Sequence, residues 1–102
     1  IADAVCGYLK ALNSSLKTEF NIGIDLEETS VYEFAKLYKD IAKDLIGYSK
    51  EISFIGSTDN KYLTDNPHRR CPNIQKARKH LKYDPMISLE EGIRRYISHL
   101  IK

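Results

Sequence analysis

Two adjacent arginines, Arg69 and Arg70, are the residues of this chain best equipped for binding chemistry. A guanidinium is planar, permanently charged and two-pronged, so it grips a phosphate or carboxylate through paired hydrogen bonds. The pair stands in the string Asp65-Asn-Pro-His-Arg-Arg-Cys-Pro72, where two prolines restrict the backbone. A helix expected from Asn73 follows at once, and a helix start favours negative charge. Restricted loop, arginines and helix start together suit a diphosphate. The same spacing also fits a solvated basic loop.

The other groups that could do chemistry form no complete catalytic set. Lys76, Arg78, Lys79 and Lys82 could present a basic face to nucleic acid. No aromatic residue interleaves with them, and Ile74, Ala77 and Leu81 take the inner side, so an ordinary solvated face is expected. Tyr32 and Lys36 stand one helical turn apart, the spacing of a proton-transfer pair. No Gly-rich dinucleotide fingerprint occurs anywhere in the chain, so they read as a partly buried tyrosine beside an exposed lysine. His68, His80 and His99 lack partners at metal-ligand spacing and read as surface histidines. Asp25, Glu27 and Glu28 read as a solvated acidic loop, and Glu90 and Glu91 as acids favoured by a helix start. Cations can activate a neighbouring thiol, but Cys71 reads as a plain structural or exposed cysteine.

Length and composition bound what these residues can belong to. A chain of 102 residues is one domain at most, with a modest core. A net charge of +2 does not by itself point to a nucleic-acid or membrane partner. Its distribution is uneven. From Lys61 to Lys82 there are seven Lys/Arg against one acid, a local +6 that leaves the other eighty residues at −4. The two cysteines, Cys6 and Cys71, are far apart, which suits a reducing, cytoplasmic setting. No apolar run approaches the roughly 18–20 residues of a membrane span, and no signal-peptide pattern opens the chain. The start at Ile1, directly in a periodic apolar pattern, is expected of a piece of a longer polypeptide.

The elements that must position the arginines are an α+β set, mostly helical. The spacing predicts a helix over 3–13, capped by Asp3, with Ala2, Val5, Leu9 and Leu12 inward. A short strand is expected over 18–22 and another over 51–55, each stopped by a glycine. Between them the capping box Ser30-x-x-Glu33 opens a helix with the stripe Val31, Phe34, Tyr38, Ile41 and Leu45, closed by Gly47. Residues 56–72 are a long loop, a length usually tied to function or disorder. A third helix runs from the Asn73 cap to Asp84-Pro85. A fourth opens at the box Ser88-x-x-Glu91, with Leu89, Ile93, Tyr96, Ile97 and Leu100 as its stripe. Two short strands cannot make a stable sheet alone. Such a domain either pairs with a second copy of itself or docks on something else.

The strings Arg70-Cys-Pro-Asn-Ile-Gln-Lys-Ala-Arg78, Leu81-Lys-Tyr-Asp-Pro85 and Ile87-Ser-Leu-Glu-Glu-Gly-Ile-Arg94 resemble the C-terminal end of the extended short-chain dehydrogenase/reductases. These are the NAD-dependent nucleotide-sugar epimerases, dehydratases and decarboxylases. Ile1-Ala-Asp-Ala-Val5, Phe20-Asn-Ile-Gly23 and Thr29-Ser-Val-Tyr-Glu-Phe-Ala35 resemble their preceding segments, so the likeness runs along essentially the whole chain. It implies a substrate-binding lobe, residues 1–102, whose N-terminal Rossmann domain holds NAD and the catalytic Tyr-x-x-x-Lys and is absent here. It implies that Arg70, helped by Arg69, contacts the diphosphate of a nucleotide-sugar substrate, and that the fragment alone is inactive. Two departures stand out: Asn73 replaces the family's usual Asp, and Lys82 stands where Gly is usual, which demands an unusual backbone conformation. A small basic helical module for nucleic acid, and a stand-alone protein-interaction adaptor, are the alternatives from other classes.

Overall fold

A computed structural model describes residues 1–26, 28–56, 58–59 and 69–102. Four helices stand among them: α1 Ala2–Leu12, α2 Val31–Ile46, α3 Gln75–Leu81 and α4 Leu89–Leu100. Most of the expected 56–72 loop, with Lys61, Asp65 and His68, lies outside the described residues, as does Glu27.

The helix ends follow local chemistry. At α2 the Ser30 hydroxyl accepts from the Glu33 N–H at 3.1 Å, and the Glu33 carboxylate accepts from the Ser30 N–H at 2.9 Å, so both halves of the box are made. Gly47 closes the helix at φ 67°, in the left-handed region that glycine enters without Cβ strain. At α4 Ser88 accepts from the Glu91 N–H at 3.2 Å, but the Glu91 carboxylate turns to Arg95 at 2.6 Å. That box is half made. The third helix starts one residue later than expected, at Gln75, with Ile74 in the cap position and the Asn73 Oδ1 accepting the Gln75 N–H at 3.0 Å. It stops at Leu81, before Asp84-Pro85, because Lys82 takes φ 51°, ψ 36°. The position the family resemblance gives to Gly is thus left-handed in a lysine.

Two small cores hold these helices. One is Ile41 and Ala42 of α2 against Ile93 and Ile97 of α4, flanked by Leu37, Tyr38, Leu45 and Leu89. The other is Ile74, Ala77, Leu81 and Tyr83, closed by Ala11, Phe20 and Ile22. Ile74 is wholly buried, which is worth roughly 2–3 kcal/mol for such a side chain. Asp3 joins the two halves. Its carboxylate accepts from the Met86 and Ile87 N–H groups at 2.8–3.1 Å, fixing the turn into α4 against the start of α1. Asp3 is therefore not the helix cap that its position suggests; Ile1 occupies the cap with no side-chain hydrogen bond.

Three expectations are corrected. First, neither 18–22 nor 51–55 is a strand, and the described residues contain none. Both segments carry strand-like sequence but have no neighbour to complete a ladder, and an extended segment is a strand only when it is paired. The fold among the described residues is all helical, not α+β. Second, α1 packs by the wrong face. Val5, Leu9 and Leu12 are exposed, while Gly7 is buried and Ala4 and Ala11 are half-buried. The small side let the helix approach so closely that a Cβ on Gly7 would lie 2.7 Å from the Ile22 side chain and 3.0 Å from the Tyr83 ring. Third, the stripes of α2 and α4 are buried only in part: Val31, Phe34, Tyr96 and Leu100 are exposed.

The result is an open assembly. Its radius of gyration is 16.9 Å, against about 13 Å for a compact domain of this size. No helix among the described residues is long and apolar enough to cross a membrane.

Candidate functional site: the arginine cleft before the third helix

The segment 20–25 and the stretch 69–75 lie side by side because the second core fastens both. Phe20 and Ile22 pack against the cluster of Ile74, Ala77, Leu81 and Tyr83. The Asn21 side-chain amide donates to the Asn73 carbonyl at 3.1 Å, and the buried Tyr83 hydroxyl donates to the Gly23 carbonyl at 3.0 Å. Burial, and then the nearby Asp3 charge, push the Tyr83 phenol above its ordinary range, so it stays a protonated donor. Between the two segments is a cleft of about 450 Å³, lined by Asp25, Arg69, Cys71, Pro72, Asn73 and Gln75.

Arg69 lines this cleft, and its guanidinium is engaged. Nε donates to Glu28 Oε1 at 2.7 Å, and Nη2 donates to Oε2, a two-pronged pair reaching across 41 positions of sequence. The hydrogen bonds from Arg69 hold the Glu28 carboxyl below the usual carboxylate range, and the carboxylate raises the arginine. Arg70 is exposed beside the cleft and is not among its lining residues. Of the two arginines, only Arg69 therefore has a defined place in the cleft wall.

Asp25 stands on the opposite wall. Its carboxylate accepts from Arg78 Nη2 at 2.8 Å, and Arg78 Nη1 also donates to Asp84 at 3.1 Å. The Asp25 carboxyl is lowered, first by the Arg78 hydrogen bond. Cys71 points its thiol at the Asp25 carbonyl, 3.8 Å away. Both cysteines are free thiols.

The remaining candidates are dispersed. Lys76 donates to Thr18 Oγ1 at 2.7 Å and lies over the Phe20 ring at 5.3 Å. With Arg78 fixed between two aspartates, half of the suggested basic face is spent on internal contacts. Tyr32 leans on Phe54 with ring centroids 5.4 Å apart and is exposed, not partly buried, and Lys36 is exposed too. His80 and His99 are exposed; His68 lies outside the described residues.

Sequence reading missed Glu28, Asp25 and Asp3, which looked like loop or cap acids. Each finds its partner from 41 to 84 positions away, and no local spacing signals such a pairing. A second cleft, about 600 Å³, runs along the bare side of α1 between Ala2, Val5, Cys6, Leu9, Lys10 and Asn13. Its walls are almost wholly apolar.

No protein-family model matches the chain, and no solved structure does. Curated relatives do. The chain is 34% identical to UDP-glucuronic acid decarboxylase 1 of Xenopus tropicalis over 102 residues, all of this chain and 22% of that protein. It is 32% identical to the Danio rerio protein of the same name, over 97% of this chain and 21% of the relative. It is 33% identical to UDP-glucuronic acid decarboxylase 1 of Arabidopsis thaliana, over 96% of this chain and 20% of the relative. The chain spans about a fifth of the length of these relatives. The likeness is continuous from end to end and includes the arginine stretch, so the chain is similar throughout to the C-terminal part of enzymes of the extended short-chain dehydrogenase/reductase family.

Proposed function

We propose that residues 1–102 are the nucleotide-sugar-binding lobe of an NAD-dependent decarboxylase acting on UDP-glucuronate. The observation that carries this is the end-to-end similarity to UDP-glucuronic acid decarboxylases. The cleft before α3 is the place for the substrate's diphosphate. Arg69 is in its wall, Arg70 adjoins it, and the Asn73 carbonyl and Gln75 N–H groups are already held by hydrogen bonds. Two guanidiniums against a diphosphate give charge-assisted, two-pronged bonds, roughly twice as strong as neutral ones.

This chain has no residues suited to a dinucleotide. Its glycines, at 7, 23, 47, 56 and 92, are isolated, so no Gly-rich turn offers backbone N–H groups to a pyrophosphate. We assign NAD, which would take up and return the hydride, to the part of the relatives that this chain does not span. The catalytic pair belongs there too. The lobe's own work is to bind and orient the sugar nucleotide. The bare face of α1, with Val5, Leu9 and Leu12, would dock on that partner lobe, in a cytoplasmic enzyme. A second copy of the chain on the same face is the competing arrangement.

The test is titration of the full polypeptide carrying this chain with UDP-glucuronate, for the wild type and the Arg70→Ala and Arg69→Ala variants. Losing a charge-assisted contact costs about 1.5–3 kcal/mol, or roughly 10- to 150-fold in Kd. Unchanged affinity in both variants removes the diphosphate from this cleft.

A further inference from the structure

The two-pronged edge of Arg69, Nε and Nη2, is the edge best shaped for a phosphate, and Glu28 already occupies it. We propose that Glu28 is a displaceable latch on Arg69: a nucleoside diphosphate enters by taking the guanidinium from the Glu28 carboxylate. Glu28 then sets affinity without touching the ligand, as a positioning residue. The inference rests on the diphosphate reading above.

Three observations support it. The carboxylate and a diphosphate cannot share one edge, because both are acceptors of like charge. The pair is also weakly held. The side chains of Arg69 and Glu28 are 78% and 39% exposed, and exposed ion pairs contribute little to stability. Arg78 behaves otherwise: it is 29% exposed, its Asp25 partner 18%, and Asp84 grips its other nitrogen. One arginine of the cleft region is built in, and the other is held where it can let go. Finally, the latch spans two packing units. Glu28 lies just ahead of the Ser30 cap of α2, in the α2–α4 half, while Arg69 leads into Ile74 of the other core. Release of Arg69 therefore leaves both cores intact.

The test is a double-mutant cycle read by calorimetric titration of UDP into the full polypeptide: wild type, Glu28→Gln, Arg69→Ala and the double variant. We expect Glu28→Gln to tighten UDP about three- to tenfold, somewhat above the worth of one exposed pair because a repelling charge also goes. Arg69→Ala should weaken binding, and Glu28→Gln should change nothing once Arg69 is gone. A tightening that persists in the Arg69→Ala background is generic charge removal and overturns the latch. Unchanged or weaker binding by Glu28→Gln, with Arg69→Ala still weakening it, also overturns the latch but leaves the diphosphate reading standing. No effect of Arg69→Ala overturns the latch, and if Arg70→Ala, titrated alongside, also leaves UDP binding unchanged, the diphosphate reading falls with it. Glu28→Ala serves as the second variant should the glutamine protein not fold.

Discussion

Arg78 and Asp25 form the best-sheltered ion pair among the described residues, 2.8 Å from Nη2 to Oδ1, fastening α3 to the segment after Gly23. From the sequence Arg78 is one more cation on a solvated helix face. In the fold it bridges Asp25 and Asp84 and holds one wall of the cleft. Arg95, paired with Glu91 one turn away, is far more exposed and only decorates α4. Removing one partner of a sheltered pair leaves a charge without its bond, whereas exposed i,i+4 pairs are worth only a few tenths of a kcal/mol. Arg78→Ala should therefore lower the melting temperature measurably more than Arg95→Ala. Equal shifts would show that the Asp25 bridge contributes nothing special.

The same pair sets an acid limit. Asp25 and Glu28 have carboxyls lowered in the fold by Arg78 and Arg69, and Glu33 by the Ser30 backbone N–H. A carboxyl lowered on folding contributes stability that is complete above its unfolded value, about 4, and is lost as pH falls through the folded value. Melting temperature should thus hold steady above pH 5 and drop below about pH 4. In Arg78→Met the drop should be shallower, since Asp25 then titrates nearly alike in both states. Circular-dichroism melts from pH 7 to pH 3 give the comparison, and parallel curves would rule the linkage out.

The two serine caps differ in a way that stability can read. Ser30 sits in a complete box and Ser88 in a half box, because Glu91 prefers Arg95. An N-cap serine is worth about 1 kcal/mol. Ser88→Ala should cost about that, and Ser30→Ala up to about 2 kcal/mol, since it also strands Glu33. Chemical-denaturation midpoints of the two variants should fall in that order.

Local signals were legible and distant ones were not. The caps at Ser30, Ser88 and Gly47 and the inward set Ile74, Ala77 and Leu81 are written within one or two turns of sequence, and the fold keeps them. The strands at 18–22 and 51–55 failed because a strand needs a partner that local sequence cannot supply. The α1 stripe failed for a related reason. Periodicity shows which face is apolar, not which face this chain covers, and here Gly7 and its neighbours outbid Leu9 by allowing a closer approach. At the cleft, adjacency and type singled out the pair Arg69 and Arg70, and the family resemblance put Arg70 first; the fold sets Arg69 in the wall, and its partner Glu28, 41 positions away, had no local mark.

Lys82 offers a direct check on strain. Its φ of 51° ends α3 in the left-handed region, where a side chain costs roughly 1 kcal/mol or more. Glycine there removes the Cβ clash but adds freedom to the unfolded chain. Lys82→Gly should still raise stability, by about 0.5–1 kcal/mol. The Lys10 ammonium that reaches the Lys82 carbonyl at 3.4 Å is unaffected, because glycine keeps that carbonyl. A loss of stability would mean the turn relaxes at no cost with lysine.

The bare face of α1 makes the sharpest division between contexts. Leu9 and Leu12 are 59% and 83% exposed, on a helix whose opposite side is already packed. In this chain by itself, Leu9→Glu with Leu12→Glu changes exposed positions and should shift stability by no more than about 0.5 kcal/mol. If a partner lobe covers the face, each leucine becomes a buried contact worth about 2 kcal/mol, and the buried glutamates add a desolvation cost. The double variant should then lower the melting temperature of the full polypeptide sharply and raise its susceptibility to limited proteolysis, while leaving the 102-residue chain unchanged. A full polypeptide that melts as the wild type does leaves this face in solvent. A change confined to the oligomer size of the short chain identifies a second copy, not another lobe, as the partner.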